Sequence, residues 1–240
     1  MIGSKYKRIL LKLSGEALMG EAGYGINQDI LEYLTAELAS VKELNLEIGI
    51  VVGAGNIFRG LAGASSGMDR AEADNMGMLA TIINSIALKD TLNRHDIPAV
   101  VLSAITMETV CESFSRRSAL EHLAEGNIVI FGGGTGNPYF TTDTAALLRG
   151  LEINADLICK ATRVDGVYDK DPLKNPDAYK YEVLSYSEAL EKQLKVMDAA
   201  AVSLAMDNNK PIQVFNMNTS GNLRRVACGE KVGSLIRADN

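Results

Sequence analysis

The chain has 240 residues, 47% of them hydrophobic, which is enough to bury one core of single-domain size. Lys and Arg total 24 against 30 Asp and Glu, a formal net charge of −6, so a general affinity for nucleic-acid backbones is excluded and any anion must be held locally. Three widely spaced cysteines (Cys111, Cys159, Cys228) and two histidines (His95, His122) offer neither a disulfide framework nor metal-ligand spacing, which points to a reducing compartment without a zinc site.

Met1 to Arg8 is polar and basic, without the apolar stretch of a signal peptide, and no apolar run reaches membrane-spanning length. A cytoplasmic location with no membrane partner is expected. Short aliphatic runs follow at Arg8–Leu13, Glu47–Val52, Ala99–Leu102, Ile128–Phe131, Asp156–Lys160 and Ile212–Phe215, separated by longer segments of helical period. Such alternation predicts parallel strands with helices on both faces. Between the first two runs, Ile30, Leu31, Leu34, Leu38 and Val41 form a helical stripe, with Asn27 as N-cap. A long helix is predicted from Asp69 to Arg94, its apolar stripe Met76, Leu79, Ile83 and Ile86, ending before Pro98. Another runs from Asp143 to about Asn154 after a Thr-Thr cap, and Ser185 with Glu188 has capping-box spacing. The irregular stretch from Val164 to Tyr186, with Pro172 and Pro176, is expected to be a flap. The fold class read from this pattern is α/β: one domain over 1–240, a three-layer α/β/α sandwich around a mainly parallel sheet.

Ligands of open parallel sheets sit beyond the carboxyl ends of strands, and three such loops are glycine-rich. In Lys12-Leu13-Ser14-Gly15-Glu16 a lysine interrupts an apolar strand, which is costly unless it is paired or meets an anion, although a snorkelling side chain would also explain it. In Gly53-Ala54-Gly55-Asn56-Ile57-Phe58-Arg59-Gly60, small residues let backbone N–H groups approach a phosphate and Arg59 supplies a charged fork, with a plain flexible connection as the alternative. Gly132-Gly133-Gly134-Thr135-Gly136 leads toward a helix N-terminus that would favour a phosphate. Its four glycines read more readily as function than as structure. Gly63-Ala64-Ser65-Ser66-Gly67 matches a nucleophile-elbow pattern but no strand precedes it, so a plain loop is expected. No G-x-x-x-x-G-K-[ST] motif occurs, which excludes a Walker-type phosphate site.

The segment Thr162-Arg163-Val164-Asp165-Gly166-Val167-Tyr168-Asp169-Lys170-Asp171-Pro172 reads locally as a strand end, a turn and an acidic stretch stopped by proline. It resembles the nucleotide loop of the amino-acid-kinase family, T-x-V-x-G-V-Y-x-x-D-P. The likeness extends through Leu11–Ala17, Gly55–Gly60, Met76–Thr81, Thr135–Asp143, Lys195–Asp198 and Val214–Asn218, and it is nearest to the branch whose members phosphorylate UMP.

That resemblance implies an ATP-dependent phosphotransferase with UMP bound mainly by 1–150 and ATP mainly by 151–240. Lys12, Arg59, Asp143 and Asp198 would be catalytic. Lys12, Leu13, Ser14, Gly15, Gly55, Arg59, Thr162, Tyr168 and Asp171 would contact ATP. Ala54, Asp74, Thr135, Gly136, Asn137, Pro138, Tyr139, Phe140, Thr141 and Thr142 would hold UMP, Asp74 through the ribose. Mg²⁺ would arrive with ATP rather than on a protein ligand set, and homohexamers built from dimers are implied. Gly20, Glu21, Ala22, Gly23, Tyr24 and Gly25 resemble the family loop associated with activation by GTP. Ala54 departs from the family's usual glycine and is tolerated only at negative φ. Two alternatives remain: another acceptor such as an acylamino acid or carbamate, which should lack the Thr135–Asp143 block, and a non-enzymatic nucleotide- or oxyanion-binding member, against which Lys12, Arg59 and Asp143 count.

Overall fold

A computed structural model describes residues 3–58, 67–194 and 196–239. The aliphatic runs become strands because each is buried on both faces. In β1 (Arg8–Leu13) every residue after Arg8 is buried, and β2 (Glu47–Val52) repeats the pattern. With β3 (Ala99–Ser103), β4 (Glu112–Ser113), β5 (Ile128–Gly132), β6 (Leu157–Thr162), β9 (Val183–Ser185), β10 (Ile212–Asn216) and β11 (Ser234–Arg237) they form a nine-stranded sheet in the order β4-β3-β5-β2-β1-β6-β10-β11-β9. Seven strands run parallel. At one edge β11 pairs antiparallel with β10 and parallel with β9, so these last two oppose the rest. The sheet is therefore mainly parallel, as the alternation predicts.

Period-two alternation divides the core into two layers. Ile9, Leu11 and Leu13 face one side, packed with Leu34, Leu38, Leu88, Leu92 and Leu223 from the helices Gln28–Lys42, Arg70–Arg94 and Asn222–Ala227. Leu10 and Ile158 face the other, under Ala119, Ala146, Leu147 and Val202 of the helices Arg116–Ala124, Thr142–Glu152 and Ala199–Asp207. The caps follow the sequence: Asn27 accepts from the Ile30 N–H, Thr141 from Asp143, and Ser185 from Glu188. Among the described residues no helix is long and apolar enough to cross a membrane.

Three expectations are revised. The stripe Met76, Leu79 and Ile83 faces outward, 43, 44 and 51% exposed. The inward face of that helix instead mixes the small and polar Ala73, Ala80, Thr81, Asn84 and Ser85 with buried Met78, Ile82, Leu88 and Leu92: Asn84 and Thr81 meet the glycine loops, while Leu88 and Leu92 join the core. Three glycines after β5 also have a structural reason. Gly133, Gly134 and Gly136 take positive φ of 76, 58 and 80°, a region that side chains with a Cβ enter at a cost. The 164–186 stretch is not wholly irregular: β7 (Val167–Tyr168) and β8 (Lys180–Tyr181) form an antiparallel ribbon.

Candidate active site

Register and alternation place the central charges. Lys12 lies opposite Lys160 on the neighbouring strand β6, and both share the face of Leu10 and Ile158 that the helix Thr142–Glu152 covers. The first turn of that helix sets Asp143 between them. Lys12 Nζ lies 2.8 Å from Asp143 Oδ1, and Lys160 Nζ lies 2.8 Å from Asp143 Oδ2. Lys160 also donates to the Val196 carbonyl. Burial alone would push the Asp143 carboxyl up, but attraction by Lys12 and Lys160 overrides it and holds the group below its ordinary value. Burial pulls the Lys160 ammonium down, with the Asp143 charge acting against that shift. The snorkelling alternative for Lys12 is thereby set aside, since its charge is buried and paired.

Asp198 closes the far side of this cluster. As N-cap of Ala199–Asp207 it accepts from the Ala201 N–H at 2.8 Å, and its carboxylate also takes the hydroxyls of Thr141 and of Thr144, the latter at 3.0 Å. The Thr-Thr-Asp sequence thus both caps its own helix and docks on a second helix N-terminus.

The first two glycine loops pack backbone to backbone. A Cβ on Gly15 would stand 2.5 Å from the Gly53 carbonyl oxygen and 2.6 Å from the Gly55 nitrogen, so only glycine fits there. Ala54 is absent from the positive-φ residues, which is the condition its methyl group requires. A buried amide pair fixes the loop: Asn56 and Asn84 exchange hydrogen bonds at 2.9 and 2.8 Å, and Asn84 also donates to the Gly53 carbonyl at 2.8 Å. The Asn56 carbonyl accepts from the Gly25 N–H, which ties the 20–25 segment to this loop. Gly15→Ala is expected to displace the Gly53–Gly55 backbone and lower kcat at least tenfold while the protein stays folded, as steady-state kinetics and circular dichroism would read.

Cavities open on both sides of these loops and share Glu16. One, of 480 Å³, is lined by Ala54, Gly55, Phe58, Arg70, Asp74, Met78, Thr135, Phe140, Thr141 and Thr142, among others. Another, of 270 Å³, has Lys12, Leu13, Ser14, Lys160 and Thr162 in its wall. Tyr33 donates to the Met217 carbonyl at 2.7 Å and so secures that wall. A third cavity of 420 Å³ is lined by Tyr168, Asp171 and Pro172. Ala54, Asp74, Thr135 and Phe140 to Thr142 thus share one cavity; of the residues expected at ATP, Lys12, Leu13, Ser14 and Thr162 line the second and Tyr168 and Asp171 the third, whereas Gly55 faces the first and Gly15 lines none of the three. Gly136, Asn137, Pro138 and Tyr139, expected at UMP, do not line the first cavity. Arg59, Gly60, Gly63 to Ser66 and Lys195 lie outside the described residues.

Sequence reasoning gave Lys160 no role. Its signal was available, since it is a second lysine ending a second buried strand, but the register that brings it level with Lys12 is not written in either segment. Among the described residues no group of three or more His, Cys, Asp or Glu could hold a metal.

The chain matches the amino acid kinase family over residues 7–216, and it belongs to that family. It is 56% identical to the uridylate kinase of Pseudoalteromonas atlantica over 231 residues, which is 96% of this chain and 94% of that one. Its structure superposes on the UMP kinase of Bacillus anthracis with a TM-score of 0.94 at 44% identity, covering 98 and 97% of the two chains. With the UMP kinase of Ureaplasma parvum the TM-score is 0.90 at 36% identity, covering 97 and 99%.

Proposed function

We infer that this chain is a uridylate kinase, a nucleoside monophosphate kinase of pyrimidine biosynthesis that moves the γ-phosphoryl group of ATP onto UMP. The observation that carries the reading is the cavity formed by Asp74, Thr135 and Phe140 to Thr142, which adjoins the Lys12–Asp143–Lys160 cluster through Thr142 and Glu16. UMP occupies this cavity, and ATP occupies the cavities beyond Lys12 and around Tyr168.

The acceptor is a phosphate monoester whose second pKa is about 6, so its attacking oxygen is already ionised at neutral pH. No catalytic base is required. Catalysis becomes the alignment of two mutually repelling anions and the neutralisation of charge that spreads over the transferred group. Lys12 supplies positive charge at the meeting point of the cavities, Asp143 orients it, and Lys160 keeps Asp143 in place. Arg59 adds a further cation in this scheme. Mg²⁺ would arrive with ATP and would add charge neutralisation to that of Lys12 and Arg59.

The same reading makes the chain cytoplasmic and a homohexamer built from dimers. The outward Met76, Leu79 and Ile83 give the long helix an apolar face suited to such contacts, and sedimentation would measure the assembly. Activation by GTP through the 20–25 loop is the regulatory extension of the proposal.

ADP release measured with UMP, CMP, AMP and acetylglutamate tests the activity. Strong preference for UMP is expected. Comparable turnover of CMP would overturn the assigned acceptor, and turnover of acetylglutamate alone would move the chain to another branch of its family.

A further inference from the structure

Arg70 opens the long helix one turn ahead of Asp74. Its Nε donates to Asp74 Oδ2 at 2.7 Å, and the same oxygen accepts the backbone N–H of Tyr139 at 2.8 Å. The guanidinium carbon of Arg70 lies 5.6 Å from the centre of the Tyr139 ring. Both donors converge on Oδ2, and no described residue donates to Oδ1. Tyr139 itself holds a left-handed φ of 72°, a conformation that a non-glycine residue keeps only when its surroundings enforce it. Tyr139 is 68% exposed, and its backbone N–H on Asp74 and its ring against Arg70 tie it to the long helix.

We propose that Arg70 is a positioning residue for the acceptor ribose. By occupying Asp74 Oδ2 it turns the other carboxylate oxygen toward the cavity, and by lying against Tyr139 it holds the uridylate loop on Asp74. Discrimination between ribose and 2′-deoxyribose then depends on Arg70 acting through Asp74. This assignment rests on the uridylate kinase reading. An ion pair four residues apart on a partly exposed helix contributes little to stability, so the loss of Arg70 should be read in acceptor binding and not in melting.

The test compares the full-length wild type with Arg70→Gln, Arg70→Lys, Asp74→Asn and the Arg70→Gln/Asp74→Asn double variant. KM for UMP, deoxy-UMP and ATP, kcat, the melting temperature and calorimetric affinities for both acceptors are measured. Arg70→Gln should raise the KM for UMP by about tenfold, the scale of a lost charged hydrogen bond, and raise that for deoxy-UMP by less. The KM for ATP, kcat and the melting temperature should stay close to wild type, and Arg70→Lys should recover part of the loss. In the Asp74→Asn background, Arg70→Gln should add little, because both changes remove the same contact.

Additive penalties would mean that Arg70 touches the acceptor directly and would overturn the proposal. So would equal losses for UMP and deoxy-UMP, or losses that extend to ATP and to melting. A wild-type protein that binds UMP without phosphorylating it would overturn the activity reading, while the calorimetric comparison still decides the role of Arg70. A wild-type protein that binds neither acceptor would overturn both.

Discussion

Lys12→Ala is expected to lower kcat by about 10²–10³-fold, the range found when one preorganised charge or donor is removed from a transition state. KM values for UMP and ATP should change far less, because the interaction strengthens as charge spreads over the moving phosphoryl group. The geometry favours such an effect. Lys12 is 8% exposed, so its charge acts where water screens it little. It also lines the cavity that reaches Thr162, while Asp143 fixes its direction from 2.8 Å. The variant should fold, since Asp143 keeps Lys160 as a partner. Lys12→Met, which preserves most of the volume, should fail to restore kcat, separating lost charge from lost packing. A near-normal kcat in both variants would reduce Lys12 to a buried counter-ion.

The strands of the sheet's centre were legible because each is long, aliphatic and buried on both faces, which leaves few alternative readings for a run such as Ile48–Val52. The edge elements were not. The two-residue strand β4 and the ribbon β7–β8 carry too few residues for any period to register, and β11 takes its direction from tertiary pairing with β10. The long helix was found but its orientation was misread. A stripe of Met76, Leu79 and Ile83 points to a core on every hydrophobic argument, yet the site demands a face narrow enough to admit Asn84 to Gly53 and Thr81 to the Gly133 N–H. Close backbone approach overrode hydrophobicity there.

Residues of the site were legible in proportion to how local their chemistry is. Lys12, the Gly15 turn and the capping Thr141 announce themselves within a few positions. Ala54 could be judged from its φ requirement alone. The partnerships could not: Asp74 and Tyr139 are 65 residues apart in the chain, and Lys160 gains its meaning only from the register of β6 against β1. The glycines after β5 read, from their density, as a phosphate loop, and three of them also take positive φ, a backbone reason for glycine that density alone does not reveal.

Asp143→Asn should produce the second large effect, in stability and activity together. The carboxylate stands between two ammonium groups on adjacent strands in direct register, and the isosteric amide removes the charge while keeping the shape. Two buried cations then face each other without the carboxylate between them, Lys160 keeping only the Val196 carbonyl and the more distant Asp198 charge. Removing one partner of a buried ion pair costs about 3–5 kcal/mol, which for a domain of this size lowers the melting temperature by about 10 °C or more. The pH dependence has a definite sign. The folded-state pKa of Asp143 is lowered, so its contribution is fully present above the unfolded carboxylate value of about 4 and is lost as pH falls through the lowered native value. The variant should therefore show a flatter acid limb in plots of stability against pH than the wild type. Adding Lys160→Met to Asp143→Asn removes one of the two unpaired cations and should recover part of the melting temperature, because neutralising a broken pair costs less than leaving its charges buried. It should not recover kcat, since Lys12 still lacks the carboxylate that aims it. Thermal melts and steady-state kinetics on the three proteins read this directly. If the double variant regained both stability and turnover, Asp143 would be relieving repulsion only, and the orienting role assigned to it would be withdrawn.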